Sequence, residues 1–245
     1  MNALRAELRK IWSVRSTYVM ILLLLALPVG LMSFWIFGYK NVDHADQSVK
    51  VLMSVIMAVV GIGGVLLSFI PILSVGHEYR YNTVLYTLTS TNNRAKVFFA
   101  KWLATILVTT LFAIFMVALG VAAFYLGQQI NKAPLLAQTM PDVGFALRML
   151  ASIIGAVSFG FIIAMLCRSL VAAIALLLVL PSTIEPLLGL LLKDNVQYLP
   201  YTALNNLTAT PGGPIAYSTS LWVAALYTVV LGAVALILFM RRDAN

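Results

Sequence analysis

The densest group of side chains able to form ion pairs and hydrogen bonds lies between two apolar stretches, over residues 77–94. Its members are His77, Glu78, Tyr79, Arg80, Asn82 and Thr83, then the polar run Thr89-Ser90-Thr91-Asn92-Asn93, then Arg94. A simple connection between two helices does not need this many polar groups. We therefore expect an element with a role of its own, and a solvated loop is the alternative.

Two further ionisable residues, Arg148 and Glu185, stand within long apolar stretches. A charge in hydrocarbon is unfavourable unless it is paired or hydrated. We therefore predict an ion pair between Arg148 and Glu185 near the outer membrane surface. The pair serves either as a structural clip or as a contact for a substrate.

Several chemistries lack the residues that they need. No Walker lysine motif is present, and Gly61-Ile62-Gly63-Gly64 is not followed by Lys-Ser/Thr, so the chain does not hydrolyse ATP by itself. There is no His-Glu-x-x-His zinc motif, and the single cysteine, Cys167, excludes an intrachain disulfide. His44 and His77 are predicted on opposite sides of a membrane. We therefore expect neither an enzyme nor a cofactor on this chain.

The composition indicates that most of the chain lies in a membrane. Of the 245 residues 62% are hydrophobic and 10% are charged, whereas soluble domains carry about 25% charged residues. The charge-free intervals are long enough for membrane helices of about 20 residues. We predict a single all-α transmembrane domain, 1–245, with six spans at about 17–38, 51–75, 102–127, 146–166, 169–191 and 219–240. A signal peptide is disfavoured, because the first apolar run reaches Gly38 without a cleavage site.

The distribution of basic residues sets the predicted orientation. With the N-terminus inside, the inner loops hold Arg5, Arg9, Lys10, Arg15, Arg80, Arg94, Lys96, Lys101, Arg168, Arg241 and Arg242. The outer loops hold only Lys40, Lys50, Lys132, Arg148 and Lys193. The positive-inside rule then places both termini in the cytosol of a multi-pass plasma-membrane protein. The net charge of +8 is thereby explained by topology and anionic membrane lipid, without nucleic acid.

Two amphipathic helices are predicted at the inner surface. In residues 1–16, Leu4, Leu8, Ile11 and Trp12 share one helical face, with Arg5 and Arg9 away from its centre. This pattern is typical of a helix in the membrane interface, which acts either as an anchor or as a partner-binding helix.

The second amphipathic helix belongs to the polar loop. Tyr81, Val84, Leu85 and Leu88 recur at helical spacing, which puts Glu78 in the first turn. Asn92 or Asn93 is expected to cap the following helix, which leads into the third span.

The fifth span should be broken. Pro181 and Pro186 each remove a backbone donor within it. We expect the helix to break near one of them, and the chain through Pro200 to fold back as short outer helices.

Together these features resemble the permeases of type-2 ATP-binding-cassette exporters. That family shows Glu-Tyr/Phe-Arg-x-Gly-Thr, then Pro-x-x-Arg, then a lysine that opens the third span. Here Glu78-Tyr79-Arg80-x-x-Thr83, Arg94 and Lys101 correspond, while Asn82 replaces the glycine and the proline is absent. Asparagine tolerates a left-handed backbone, so we expect the turn to be retained.

The resemblance implies a function and partners. Two permeases, identical or homologous, would pair in the lipid, and each would dock a cytosolic ATPase that carries the ATP and Mg²⁺. Residues 77–96, with Glu78, Tyr79, Arg80, Thr83 and Arg94, would form the docking element, and residues 2–15 would neighbour it. The cargo would be apolar or amphipathic and would move outward.

Other classes remain as alternatives. An ion-coupled carrier or channel usually needs polar groups near the midplane, which this sequence almost lacks. A non-transporting scaffold is compatible with the apolar pattern but gives no reason for a docking helix.

Overall fold

The computed structural model describes residues 2–13, 15–38, 45–84, 86, 93–130, 143–208 and 215–241, which contain helices and no strand. In chain order the helices are α1 (Asn2–Ser13), α2 (Arg15–Gly38), α3 (Ala45–Arg80), α4 (Arg94–Ile130), α5 (Val143–Cys167), α6 (Leu170–Val179), α7 (Glu185–Leu192), α8 (Pro200–Thr208) and α9 (Tyr217–Arg241). A π-helical segment, Leu180–Ile184, joins α6 to α7, and a 3-10 segment, Lys193–Tyr198, leads to α8.

Five helical segments in the described residues are long and apolar enough to cross a membrane. They are Gly61–Arg80, Arg94–Leu119, Gly144–Cys167, Leu170–Tyr198 and Tyr217–Arg241. The chain is therefore an all-helical, multi-pass membrane protein, as predicted. The helices that contain the predicted second and third spans extend further than expected, because α3 continues to Arg80 and α4 begins at Arg94.

The centre of the bundle is the contact between α3 and α5. Ser68 of α3 is fully buried, and its hydroxyl donates to the Gly64 carbonyl at 2.7 Å. Gly160 of α5 lies directly against it: a Cβ at Gly160 would stand 2.8 Å from the Ser68 carbonyl oxygen. The absence of a side chain lets the two backbones approach, as small residues do at membrane helix contacts.

Gly160→Ala is therefore expected to destabilise the bundle by about 1–3 kcal/mol, because the new methyl group meets backbone that cannot rotate away. Gly61→Ala on α3 is the matched control, since a Cβ there has no atom within 4 Å. Unfolding of both variants in mixed micelles would measure the difference. Equal stability of the two variants would contradict this account of the α3–α5 contact.

The segment Leu170–Tyr198, which corresponds to the predicted fifth span, changes its helical geometry at the first proline. Pro181 lies in the π-helical segment, and the Glu185 N–H bonds to the Leu180 carbonyl, one residue further back than in an α-helix. Pro186 sits in the first turn of α7, where a missing N–H is tolerated. The prolines thus distort the helix without reversing the chain.

The reversal comes after Lys193, which has a left-handed φ of 47°. From there the chain returns, and α8 packs against α5 and α9. The Ser152 hydroxyl of α5 donates to the Leu204 carbonyl of α8 at 3.0 Å. Leu204 also fills the space above Gly155, within 2.4 Å of the position that a Cβ there would take. The folded-back helix is therefore part of the core.

Candidate functional site

The turn after α3 ends in a left-handed asparagine. Asn82 has φ 52°, its N–H bonds to the Tyr79 carbonyl at 3.4 Å, and the Thr83 N–H bonds to the Glu78 carbonyl at 2.9 Å. This pair of bonds is the Schellman ending of a helix. The prediction that asparagine would support the turn in place of glycine is confirmed.

Glu78 does not occupy the predicted first turn of a loop helix. It lies in the last turn of α3, and residues 81–83 form a turn. The reason is that α3 does not stop at residue 75 but continues until Asn82 terminates it. Leu85 and Leu88 of the predicted loop helix lie outside the described residues.

A buried ion cluster surrounds Glu78. The Lys101 ammonium of α4 donates to Glu78 Oε1 at 2.5 Å and to Glu7 Oε2 of α1 at 2.8 Å. The Lys101 side chain is 3% exposed. A negative charge at the C-terminal end of α3 opposes the helix dipole, so Glu78 depends on Lys101 for its charge balance.

Lys10 completes the cluster. Its ammonium donates to Glu78 Oε1 at 2.9 Å and to Glu7 Oε1 at 3.1 Å. Burial lowers the pKa of Lys10, but the Glu78 and Glu7 carboxylates outweigh that effect and raise it, so Lys10 is charged at neutral pH. Two carboxylates and two ammonium groups balance, and they bind α1 to the end of α3 and the start of α4. We call Glu7, Lys10, Glu78 and Lys101 the charge cluster.

The predicted amphipathic helix is present as α1, and its apolar face is covered by protein. Ile11 is 2% exposed, and Leu8 packs on the same core. Trp12 is half exposed and contacts the Phe112 ring of α4 at 5.8 Å between centroids. Arg5 and Arg9 are exposed. The helix is therefore held by α4 and not by the membrane surface alone.

The other predicted docking residues lie around the same turn. Arg80 and Thr83 are exposed, whereas Tyr79 is half buried beneath the Arg168 guanidinium, 5.5 Å from its ring centroid. Arg94 donates to the Met240 carbonyl at 3.2 Å, at the end of α9, where a cation complements the helix dipole. We call this side of the bundle, which carries α1, Glu78–Thr83, Arg94 and Met240, the loop end.

The helix α4 begins with the predicted cap. Asn93 Oδ1 accepts from the Lys96 N–H at 3.1 Å, and the Asn93 carbonyl accepts from the Val97 N–H at 3.2 Å. The loop between α3 and α4 is thus fixed at both ends by asparagines, Asn82 and Asn93.

Two members of the charge cluster, Glu7 and Lys10, were not singled out by the sequence reasoning, and Lys101 was noted only as the lysine that opens the third span. Glu7 lies between Leu4 and Ile11 at a spacing of three and four residues, which puts it on the apolar face of α1. Lys101 lies two turns after Arg94, in an apolar run. The signal that could have found these residues is an ionisable side chain on the apolar face of one helix, together with an opposite charge on the apolar face of another helix.

Glu185 and Arg148 do not form the predicted ion pair in the described part of the chain. The Glu185 carboxylate accepts from the N–H groups of Tyr201 and Thr202 and from the Thr202 hydroxyl, each at 2.8 Å. It caps the start of α8, where free N–H groups attract a carboxylate. The Arg148 guanidinium instead lies 4.1 Å from the Tyr217 ring centroid. Burial and the Glu185 charge raise the pKa of the Tyr201 phenol.

The described residues hold no group of three His, Cys, Asp or Glu side chains that could bind a metal ion. The charge cluster is enclosed by protein, with three of its four side chains less than 10% exposed. The charge cluster ties α1, the end of α3 and the start of α4 together at the loop end.

Residues 36–244 match the sequence model of a family described as a protein of unknown function (DUF2705). The matched part includes two members of the charge cluster, Glu78 and Lys101, and leaves out α1. No curated protein matches the chain.

Proposed function

We propose that this chain, which belongs to the DUF2705 family, is the membrane subunit of an ATP-driven exporter of the type-2 ATP-binding-cassette class. The observation that carries the proposal is the charge cluster. It joins the α3–α4 turn, where a partner would push, to the helices that such a push must move. A loop that only connected α3 and α4 would need no buried ionic link to α1 as well.

The topology that we propose has six spans, with α2 as the first. The loop end gathers Arg5, Arg9, Arg80, Arg94, Lys96, Arg168 and Arg241. Outside it, the basic residues within the described ranges are Lys50, Arg148 and Lys193. The positive-inside rule then places the loop end and both termini in the cytosol, with the chain in the plasma membrane.

The docking surface consists of the exposed side chains of the turn. Arg80, Tyr81 and Thr83 face outward, and the Arg80 guanidinium lies over the Tyr81 ring at 5.7 Å. Arginine and tyrosine are the residues that most often dominate a protein interface. Glu78, which is buried, has the different role of transmitting the motion.

Coupling would proceed through the charge cluster. When the ATPase displaces the turn, Glu78 moves with it, and Lys101 and Lys10 follow because separating a buried pair leaves an uncompensated charge. The push thus reaches α4 and α1 together. The cytosolic ATPase, two copies per complex, supplies ATP and Mg²⁺, and a second permease, identical or homologous, completes the path for an apolar or amphipathic cargo.

The test is co-purification of this chain with a co-expressed ATP-binding-cassette ATPase. Arg80→Ala/Tyr81→Ala should weaken association and permease-stimulated ATP hydrolysis about tenfold or more, because an interface hot spot contributes about 2 kcal/mol or more. Lys193→Ala, an exposed cation outside the loop end, is the matched control and should leave both unchanged. A folded wild-type protein that binds no ATPase would overturn the proposal.

The same cluster favours a second candidate, an ion-coupled carrier, because ionisable groups buried within apolar helices are typical of ion pathways. A carrier would transport its cargo without the ATPase and would stop when the ion gradient is dissipated. In reconstituted vesicles, an exporter of the proposed class would not transport its cargo without the ATPase. Its ATP-driven transport would continue when the ion gradient is dissipated.

A further inference from the structure

Arg148 is a cation at the membrane boundary with no acidic partner in the described part of the chain. It lies five residues after the start of α5, about 7.5 Å along the helix. Its guanidinium carbon lies 4.1 Å from the Tyr217 ring centroid and 5.8 Å from that of Phe145. Tyr217 is the first residue of α9, and tyrosine at a helix start is typical of the headgroup region.

The charge of Arg148 is not compensated within the described residues. Arginine remains protonated in proteins, and Glu185 directs its two oxygens to α8. The Arg148 Nε is buried and has no hydrogen-bond partner. A buried donor without a partner is unfavourable, and a charged one more so, so an acceptor for the Arg148 guanidinium is expected here.

A second buried polar group lies on the same helix as Tyr217. Ser220 follows Tyr217 by one helical turn, its side chain is fully buried, and its hydroxyl has no partner. The Asn206 Nδ2 of α8, which packs against both α5 and α9, is likewise buried and unpartnered. A guanidinium and an amide NH₂ can only donate, and a hydroxyl can donate. For the Arg148 guanidinium, an oxyanion supplies both the acceptor oxygen and the opposite charge.

We propose that Arg148, with the Tyr217 ring against it and Ser220 one helical turn further along α9, binds the phosphate of an anionic membrane lipid at the end of the bundle opposite the charge cluster. Phosphate matches the planar fork of an arginine, and the lipid headgroup is the oxyanion that a membrane supplies at this depth. The tyrosine ring beneath the guanidinium holds it in place. This site is independent of ATPase docking and goes beyond the proposed transport function.

The experiment compares ligands on the purified, delipidated full chain. Phosphatidylglycerol, diacylglycerol and inorganic phosphate are added separately in detergent, and bound lipid is counted by native mass spectrometry. We expect retention of phosphatidylglycerol and none of diacylglycerol, with inorganic phosphate failing to compete at equal concentration. If inorganic phosphate competed at equal concentration, the proposal that a lipid supplies the oxyanion would be overturned.

Variants locate the site. Arg148→Gln should weaken phosphatidylglycerol binding about tenfold or more, since it removes a charge-assisted pair. Ser220→Ala, a smaller change that keeps the helix contact, should weaken it several-fold and provides a second variant if Arg148→Gln does not fold. Lys193→Gln, the exposed cation outside the loop end, should have no effect. Equal binding by wild type and both site variants would overturn the proposal.

Discussion

Lys101→Met is expected to lower the free energy of unfolding by about 3–5 kcal/mol, because Glu7 and Glu78 would stay buried with one ammonium fewer. Lys10 does not replace it, since the Lys10 side chain is 40% exposed and its pairs are weakened by solvent. Methionine keeps the length of the side chain, so the lost packing is small. Unfolding by dodecyl sulfate in mixed micelles, followed by circular dichroism, measures the change.

Lys96→Met on the same helix is the control, because Lys96 is exposed and its loss should cost less than about 0.5 kcal/mol. Glu7→Gln combined with Lys101→Met should recover part of the stability, because the double change leaves one buried carboxylate fewer without a partner. If Lys101→Met and Lys96→Met had the same stability, the charge cluster would have no structural role.

Glu185→Ala should destabilise the chain by about 2–4 kcal/mol, since two backbone N–H groups and a hydroxyl lose a charged acceptor. The effect should begin at α8, which is held by this carboxylate and by Ser152. Hydrogen exchange at the Tyr201 and Thr202 amides should therefore accelerate more than exchange in α5. Glu185→Gln, which keeps one acceptor oxygen, should fall between wild type and Glu185→Ala.

Asp194→Ala is the matched control for Glu185, because Asp194 is an exposed acid nine residues further along the chain. It should change neither the stability nor the exchange of α8. Acceleration spread evenly over all helices would mean that Glu185 does not cap α8 in particular.

The sequence predicted best what depends on neighbouring residues. The apolar stretches located five spanning helices, and Asn93 and Asn82 were identified from the backbone conformations that asparagine stabilises. Pro181 marked where the helical geometry changes. Each depends on chemistry within a few residues, which a sequence displays directly.

The pairings between distant residues were not predictable in the same way. Arg148 and Glu185 were paired on charge alone, but the N–H groups at the start of α8 compete for the same carboxylate. They reach it only because the chain reverses after Lys193, a tertiary feature. Likewise, Lys101, the partner of Glu78, was noted only as the residue that opens a span, and Glu7 was not singled out. The sequence therefore located the candidate site but not its internal contacts.

The contact between Glu7 and Lys101 also determines when α1 can dock during synthesis of the chain. The two residues are separated by 94 positions, and a ribosome adds roughly 5–20 residues per second. For about 5–20 seconds Glu7 has Lys10 as a partner but not the buried Lys101, and the burial of Glu7 must wait. Docking of α1 through this contact therefore follows the synthesis of the first two turns of α4.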